Sequence, residues 1–200
     1  MRSSFSHNEG TWIVPDASDK IQLPEGEPLE QPIVAGVAHD LSEEKVTVIG
    51  VPDIPGKAAH IFEVIAQADT NVDMIVQNVS TAGSGKTDIT FTVPKTQGDR
   101  VGSALREAQT EIGFEDIEQD NKIGKVSLVG AAMRSNAGVS ATFFRALHEA
   151  GINVDLISTS EIRISIVTHE DKLTKAVEAI HTAFGLDTEQ EATVYGGTGR

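Results

Sequence analysis

The alternation of apolar and polar positions is clearest over residues 46–80, where it predicts a strand, a helix and a second strand. Residues 46–51 are mainly β-branched and predict the first strand. The next five residues, PDIPG, favour a turn because prolines and glycine disrupt both helix and strand. Residues 74–79 form the second apolar run. Between them, apolar residues recur at helical spacing at Ala58, Ile61, Phe62, Ile65 and Ala68.

The same pattern occurs again about 80 residues further along the chain. The sequence KVSLVG from Lys125 matches KVTVIG from Lys45, and NVDLI from Asn153 matches NVDMI from Asn71. The helical positions repeat at Ser140, Phe143, Phe144, Leu147 and Ala150. A repeat of this length is too long for a solenoid unit and indicates two related small domains.

Further predicted elements complete each copy of the repeat. The first copy continues with a strand at 88–93, a helix at 100–112 that ends at Gly113, and an edge strand at 114–118. The second copy has a strand at 126–129, a loop at 135–138, a helix at 139–150, strands at 154–158 and 162–167, a helix at 171–184 and a strand at 192–195. The predicted fold class is therefore α+β, with two ferredoxin-like βαββαβ domains in tandem.

The predicted domain boundaries follow from these elements. Residues 1–31 are rich in small and polar residues and are interpreted as an N-terminal tail or linker. We place an extra strand at 33–38 and the first domain within 32–121, and the second domain within 122–200. The extra strand is expected to join one of the two sheets, and we favour the sheet of the second domain.

Composition narrows the possible functions. The net charge of −14 argues against a nucleic-acid or anionic-membrane partner. The absence of cysteine excludes disulfides and cysteine-ligated metals, and the six histidines form no metal-binding motif. No signal peptide or membrane-spanning apolar run is present. We therefore expect a soluble, cytoplasmic protein without a bound metal.

The sequence has no motif that indicates catalysis by this chain alone. The stretch GSGKT from Gly83 resembles the end of a P-loop, but Ser80 occupies the position of the required first glycine. The stretch also leads into a predicted strand, so a hairpin turn is the better interpretation. Neither a nucleophile elbow nor a spaced carboxylate pair is found.

The loops between the first strand and first helix of each copy are candidate binding sites. Free backbone N–H groups at a helix N-terminus attract a carboxylate, and Asp53 and Asp73 could hold an ammonium group. Together these groups would suit a free amino acid. Alternatively, Asp53 merely caps a turn and Asp73 merely begins a strand. The loop positions are Asp53, Gly56 and Ala58 in the first copy and Asn136, Gly138 and Ser140 in the second.

Several longer stretches resemble a known family. They are VTVIGVPDIPGKAA, NVDMIVQNVS, GKTDITFT, GKVSLVGAAMRS, NVDLISTSEIRIS and ATVYGGTGR. Over residues 32–200 the chain resembles tandem ACT domains, the regulatory modules of amino-acid metabolism. More narrowly, it resembles the regulatory part of aspartate kinases with concerted lysine and threonine feedback. The stretch RSSFS from Arg2 resembles the end of the catalytic domain of those enzymes.

This resemblance implies a function. It implies a regulatory subunit that binds lysine and threonine and inhibits ATP-dependent aspartate phosphorylation by a separate catalytic subunit. ATP and Mg would bind only to that catalytic subunit, and this chain would need no cofactor. The resemblance further implies a homodimer through the ACT domains, within an α2β2 assembly. A stand-alone amino-acid sensor acting on another partner, and an enzyme with its own catalytic site, remain as alternatives.

The resemblance also implies which residues bind the effectors. In the first domain they are Asp53, Ile54, Pro55, Gly56, Lys57, Ala58, Asn71, Val72, Asp73 and Gln77. In the second domain they are Ser140, Ala141, Val154, Asp155, Glu161 and Ile162. The family often has threonine at the position of Ser140, and His-Pro-Gly where this chain has Asn-Ala-Gly from Asn136. These departures concern effector affinity and not the fold.

Overall fold

A computed structural model describes residues 34–78, 83–131 and 137–187, which all belong to one compact unit, Pro32–Arg200. The elements of its first part are β1 (Val34–Asp40), β2 (Glu43–Pro52), α1 (Lys57–Gln67), β3 (Ile75–Gln77), β4 (Lys86–Pro94), α2 (Gly98–Glu107), α3 (Gln109–Ile112) and β5 (Asp116–Asp120). Those of its second part are β6 (Ile123–Gly130), α4 (Ala137–Glu149), β7 (Leu156–Thr159), β8 (Arg163–His169) and α5 (Leu173–Ala183).

The first domain is an antiparallel sheet covered on one face by helices. Its strand order is β3-β4-β2-β5, so the predicted βαββαβ arrangement is confirmed. Alternate residues of β2 and β4 point toward the helices, as the period of two in a strand requires. They form a core with residues of α1 and α2 that includes Val46, Val48, Ile61, Ile65, Ile89, Phe91 and Leu105.

The second domain repeats this arrangement with one difference. Its sheet has the order β1-β6-β8-β7, with β1 beside β6 as β5 lies beside β2 in the first sheet. The prediction that the strand at 33–38 joins the second sheet is therefore confirmed. The predicted strand at 192–195 lies outside the described residues. The core against α4 and α5 includes Val126, Leu128, Phe143, Leu147, Ile164, Ile166 and Ile180.

The prediction of one continuous helix over 100–112 is wrong. The helix begins at Gly98, and Ala108 divides it into α2 and α3 with a backbone ψ of −1°. The physical reason is tertiary, because the side chain of Gln109 donates a 2.8 Å hydrogen bond to the carbonyl oxygen of Glu115 in the following loop. Gly113, with φ of 88°, ends α3 as predicted.

Most other predicted boundaries differ by a few residues, and three of them have a clear physical reason. The strand predicted at 74–79 is shorter, because the N–H groups of Asp73 and Met74 both bond to Thr92 before β3 begins. The edge strand begins at Asp116 and not at Phe114, whose side chain is buried in the first core. Residues 137 and 138, predicted as loop, begin α4, because burial of Val139, Phe143 and Leu147 in the second core outweighs the low helix propensity of glycine.

The two domains pack against each other on the sheet faces opposite their helices. The contact consists of Met74 and Val76 from the first domain and three buried residues from the second, Ile123, Leu156 and Val167. The face of each sheet that its helices do not cover is thus partly covered within the chain.

Candidate functional site

A cleft of about 300 Å³ lies between the β2–α1 loop and the neighbouring edge of the first sheet. This volume is at the lower end of the range for small-molecule sites, which suits a ligand of amino-acid size. The lining residues are Val51, Pro52, Asp53, Ile54, Pro55, Gly56, Lys57, Ala58, Gln77, Thr87 and Ile89.

The N-terminus of α1 opens into this cleft without a side-chain cap. Gly56 is the N-cap residue, with φ of 95°, and no side chain caps the helix or places an acid in its first turn. The N–H groups of Ala58 and Ala59 have no hydrogen-bond acceptor among the residues that the structure describes. Because such N–H groups and the helix dipole favour negative charge, this end of α1 can accept a carboxylate.

The loop that carries the cleft is held by the adjacent hairpin. The N–H of Asp53 donates to the carbonyl oxygen of Gly85 at 2.8 Å, and the N–H of Gly50 donates to Oδ1 of Asp88 at 2.9 Å. The N–H of Ile54 also donates to the carbonyl oxygen of Pro52 at 2.9 Å. These bonds fix the loop before any ligand binds, which lowers the ordering cost of binding.

The charges of the lining suit a zwitterion. Asp53 is exposed and is the one carboxylate among the lining residues. The one lining ammonium, that of Lys57, donates to the carbonyl oxygen of Glu111 at 3.0 Å and is thereby engaged at the end of α3. A ligand with a carboxylate at the helix N-terminus and an ammonium near Asp53 would match both of these charged features of the lining.

The cleft contains seven of the ten residues predicted for the first domain, namely Asp53, Ile54, Pro55, Gly56, Lys57, Ala58 and Gln77. The other three do not line it. Val72 packs against the first core, and Asp73 pairs with Lys125 of the second domain. Asn71 precedes them in the same exposed connection. The effector-binding role of these residues stays a prediction.

The structure adds lining residues that sequence reasoning missed, on β2 and β4. Thr87 and Ile89 reach the cleft because Ile89 pairs with Gln77 in the sheet. The alternation of DITFTV placed Ile89 on the buried face, but it carried no information about the partner of each residue on the neighbouring strand.

The residues predicted for the second domain lie at several places in the described part of the chain. Val154 and Asp155 lie in a separate groove of about 350 Å³, where the carboxylate of Asp155 is 3.5 Å from the ammonium of Lys45. Ser140 and Ala141 lie near the start of α4, and Asn136 lies outside the described residues. Glu161 and Ile162 form the β7–β8 turn, where the carbonyl oxygen of Ile162 accepts from the N–H of Gly130 at 2.9 Å.

Metal-binding clusters and membrane-spanning helices are both absent from the described residues. No group of three histidine, cysteine, aspartate or glutamate residues there is arranged to hold a metal ion. None of the helices in the same residues has the length and apolar character needed to cross a membrane.

Comparison with protein families defines the class of the protein. The sequence profile of the ACT domain matches residues 46–109 and 126–184, which correspond to the two structural repeats. Together with the two βαββαβ-like sheets, these matches define a protein with two ACT domains in tandem.

Comparison with individual proteins shows which kind of ACT-domain protein the chain resembles. The chain is 54% identical over 200 residues to an aspartokinase of Mycolicibacterium smegmatis, a match that covers all of this chain and 46% of that protein. It is 43% identical to a chain of a crystal structure of aspartokinase alpha and beta subunits, with a TM-score of 0.71, covering 76% of this chain and 99% of that chain. It is 38% identical to the ligand-free regulatory subunit of aspartate kinase from Thermus thermophilus, with a TM-score of 0.71 and the same coverage.

The chain belongs to the regulatory, ACT-domain part of the aspartokinase family. It spans about half the length of the curated relatives that it matches, 46% of the Mycolicibacterium smegmatis protein. These relatives do not favour the alternative of a stand-alone amino-acid sensor.

Proposed function

We propose that this chain binds lysine and threonine and thereby imposes feedback inhibition on the ATP-dependent phosphorylation of aspartate. The inhibited activity resides in a catalytic aspartokinase polypeptide or domain, where ATP and Mg bind. Inhibition works by population shift, because effectors that bind one arrangement of the ACT domains better stabilise that arrangement.

The observation that carries this proposal is the uncapped N-terminus of α1 beside Asp53. A cleft of about 300 Å³ has the free N–H of Ala58 at the start of α1 and one carboxylate, that of Asp53, among its lining residues. This is the charge pattern that an α-amino acid requires. Gln77 and Thr87 add an amide and a hydroxyl to the same lining, so polar side chains of the effector can be accommodated.

The exposed sheet edges support a homodimer. β3 and β7 are edge strands of their sheets, and they carry Ile75 and Ile157 at matching repeat positions with 53% and 49% of their surface exposed. Exposed edges with large apolar residues are favourable surfaces for association. We propose that the first domain of one subunit pairs with the second domain of the other along these edges.

The relatives support a catalytic partner. One similar crystal structure is that of aspartokinase alpha and beta subunits, and our chain covers 99% of the chain that it matches there. We propose an equivalent partner for this chain, with an α2β2 assembly.

Isothermal titration calorimetry with lysine, with threonine and with both is the direct test of this function. We expect at least one of them to bind with micromolar to millimolar affinity, and binding to be lost with D-threonine or with an amidated carboxylate. The same additions should inhibit aspartyl phosphate formation by a catalytic subunit only when this chain is present. Absence of binding by lysine, threonine and their mixture would refute the proposal.

A further inference from the structure

The short strand β3 connects the candidate cleft to the contact between the two domains. Its last residue, Gln77, lines the cleft and pairs with Ile89 of β4. The strand has three residues and lies at the edge of its sheet. Backbone hydrogen bonds to Thr92 and Asp88 of β4 extend its pairing by only a residue or two at each end, so contacts that the flanking residues make elsewhere add to what holds it in place.

The N-terminal end of β3 is attached to the second domain. Oδ2 of Asp73, two residues before the strand, accepts a 2.7 Å hydrogen bond from Nζ of Lys125. The next residue, Met74, is buried in the cluster with Leu156 and Val167 of the second domain. Arg163 of β8 also lies 3.9 Å from Asp73, so the strand that carries Gln77 is anchored on the other domain by a close ion pair, a longer one and an apolar contact.

Lys125 is a firmly placed cation. Its backbone pairs with Asp40 of β1 and with Val167 of β8, and its side chain is 11% exposed. Its Nζ also contacts the carboxylate of Glu43. Burial lowers the pKa of Lys125, but its hydrogen bonds to Asp73 and Glu43 outweigh this effect and raise the pKa above 10.5. Lys125 is therefore charged at neutral pH and stays paired.

A second interdomain pair provides a matched control. Lys45 and Asp155 occupy the same repeat positions as Lys125 and Asp73, with the domains exchanged. Their charged atoms are 3.5 Å apart, and Lys45 is 22% exposed. Asp155 precedes β7 and not β3, so loss of this pair disturbs the domain contact without releasing the strand that carries Gln77.

We propose that Lys125 is a positioning residue for the candidate cleft, because through Asp73 it fixes β3 on the second domain and holds Gln77 against the bound amino acid. This inference rests on the proposed function. By thermodynamic reciprocity, an amino acid that contacts Gln77 must in turn stabilise the contact between Asp73 and Lys125. Occupancy of the first domain is thereby communicated to the second.

The test measures the affinity of the amino acid that binds the first cleft. Lys125→Met alone would leave Glu43 buried without a counter-charge, so the comparison is Glu43→Gln/Lys125→Met against Glu43→Gln. We expect the dissociation constant to rise about threefold to tenfold, the usual range for coupling through a packed network. Lys125→Arg should keep an affinity near that of the parent, and Lys45→Met should change it by less than about twofold.

Repeating the comparison in a protein that carries Gln77→Ala distinguishes the positioning of Gln77 from a general loss of stability. In Gln77→Ala, the same change at Lys125 should no longer alter affinity, because no amide remains to be positioned. A purely structural role of Lys125 would lower the affinity equally with Gln77 present and with Gln77→Ala, and that result would overturn the inference. An unchanged affinity in the comparison with Gln77 present would overturn it as well. If the parent protein binds neither lysine nor threonine, the proposed function itself fails, which is a distinguishable outcome.

A measurement on the unaltered protein keeps the inference testable if the double variant does not fold. Hydrogen exchange of the amides of residues 73–77 should slow when the amino acid binds, and exchange around Lys125 should slow with it. Slowing confined to the β2–α1 loop would contradict communication through β3.

Discussion

The two ACT domains contact each other through the same pair of repeat positions, but the two contacts differ in strength. Lys125 is 2.7 Å from Asp73, whereas Lys45 is 3.5 Å from Asp155. A second acid is equally placed in both, since Asp40 is 3.9 Å from Lys125 and Asp120 is 3.8 Å from Lys45.

A substitution between the repeats contributes to this difference. Glu43, which adds a third carboxylate beside Lys125, is replaced at the corresponding position of the second repeat by Ile123. Ile123 instead contributes to the buried apolar contact between the domains. The comparison teaches that the repeat places both pairs, while Glu43 beside Lys125 and Arg163 beside Asp73 add charged partners to the first of them.

The two sheets also differ in how they are completed. The first uses its own β5, whereas the second has β1, which precedes the first domain in the chain, at the corresponding edge. The second domain therefore depends on chain segments on both sides of the first domain. This explains why the adjacent ends of β1 and β2 supply Asp40 and Glu43 to the cluster around Lys125.

The largest predicted effect is on stability. Lys125→Met should lower the free energy of unfolding by about 2–4 kcal/mol, because it leaves the carboxylate of Glu43 buried without a counter-charge. Oε2 of Glu43 has no hydrogen-bond partner among the described residues, so none of them compensates that charge in place of Lys125. Lys45→Met should cost less than about 1 kcal/mol. Urea unfolding of both variants makes the comparison.

Restoring charge balance sharpens this test. Glu43→Gln/Lys125→Met should recover most of the lost stability, since the buried charge disappears with its partner. If Lys125→Met and Lys45→Met lowered the free energy of unfolding equally, the proposed difference in strength between the two ion pairs would be contradicted.

The next effect concerns assembly at the two sheet edges. Ile75→Asp and Ile157→Asp should each weaken the proposed homodimer by about 2 kcal/mol or more, because a charge would be placed in an apolar contact. Ile54→Asp serves as control, since Ile54 is also exposed, at 58%, but lies in the β2–α1 loop and not on an edge strand. Sedimentation that finds a monomer for the parent, with and without effectors, would exclude the dimer.

A smaller effect is expected at the cleft. Asp53→Ala should weaken effector binding by about 1–2 kcal/mol, less than for a buried pair because Asp53 is exposed to solvent. The fold should be unchanged, as circular dichroism can verify, because Asp53 contributes to neither core. Weakening of only one effector would assign that effector to the first cleft. Undiminished binding of both would show that Asp53 is not part of the site.

Sequence reasoning was most successful where local pattern and repetition determine structure. The helical face of α1 and the alternation of β4 were predictable because each follows a fixed period. The division at Ala108 was not predictable, because it depends on a bond from Gln109 to a loop that the helix meets only in the folded chain. Asp73 could be recognised as a repeated acid, but its pairing with Lys125 required the packing of the two domains.

The smallest predicted effect depends on pH. Partial burial raises the pKa of Asp40, but hydrogen bonds from the N–H and hydroxyl of Ser42, with Lys125 and His39 nearby, outweigh this and lower the pKa below 3.8. A lowered folded-state pKa contributes stability above the unfolded value, and that stability is lost as pH falls through the folded value.

Asp40→Asn should therefore lower stability by a few tenths of a kcal/mol at pH 7, and the difference from the parent should disappear as the pH falls well below 3.8. Ser42→Ala should show a weaker form of the same pH dependence, because it removes one of the two hydrogen bonds to Asp40. Parallel pH profiles for the parent and Asp40→Asn would rule out this contribution.

The most direct test of the central claim observes the N-terminus of α1 itself. In ¹⁵N-labelled protein titrated with lysine and threonine, the amide signals of Gly56, Ala58 and Ala59 should shift on binding, because their N–H groups acquire a carboxylate acceptor. At least one of the two amino acids should produce these shifts in the parent and need a higher concentration in Asp53→Ala. Binding that leaves these three amides unchanged would contradict the assignment of the β2–α1 cleft as the amino-acid site.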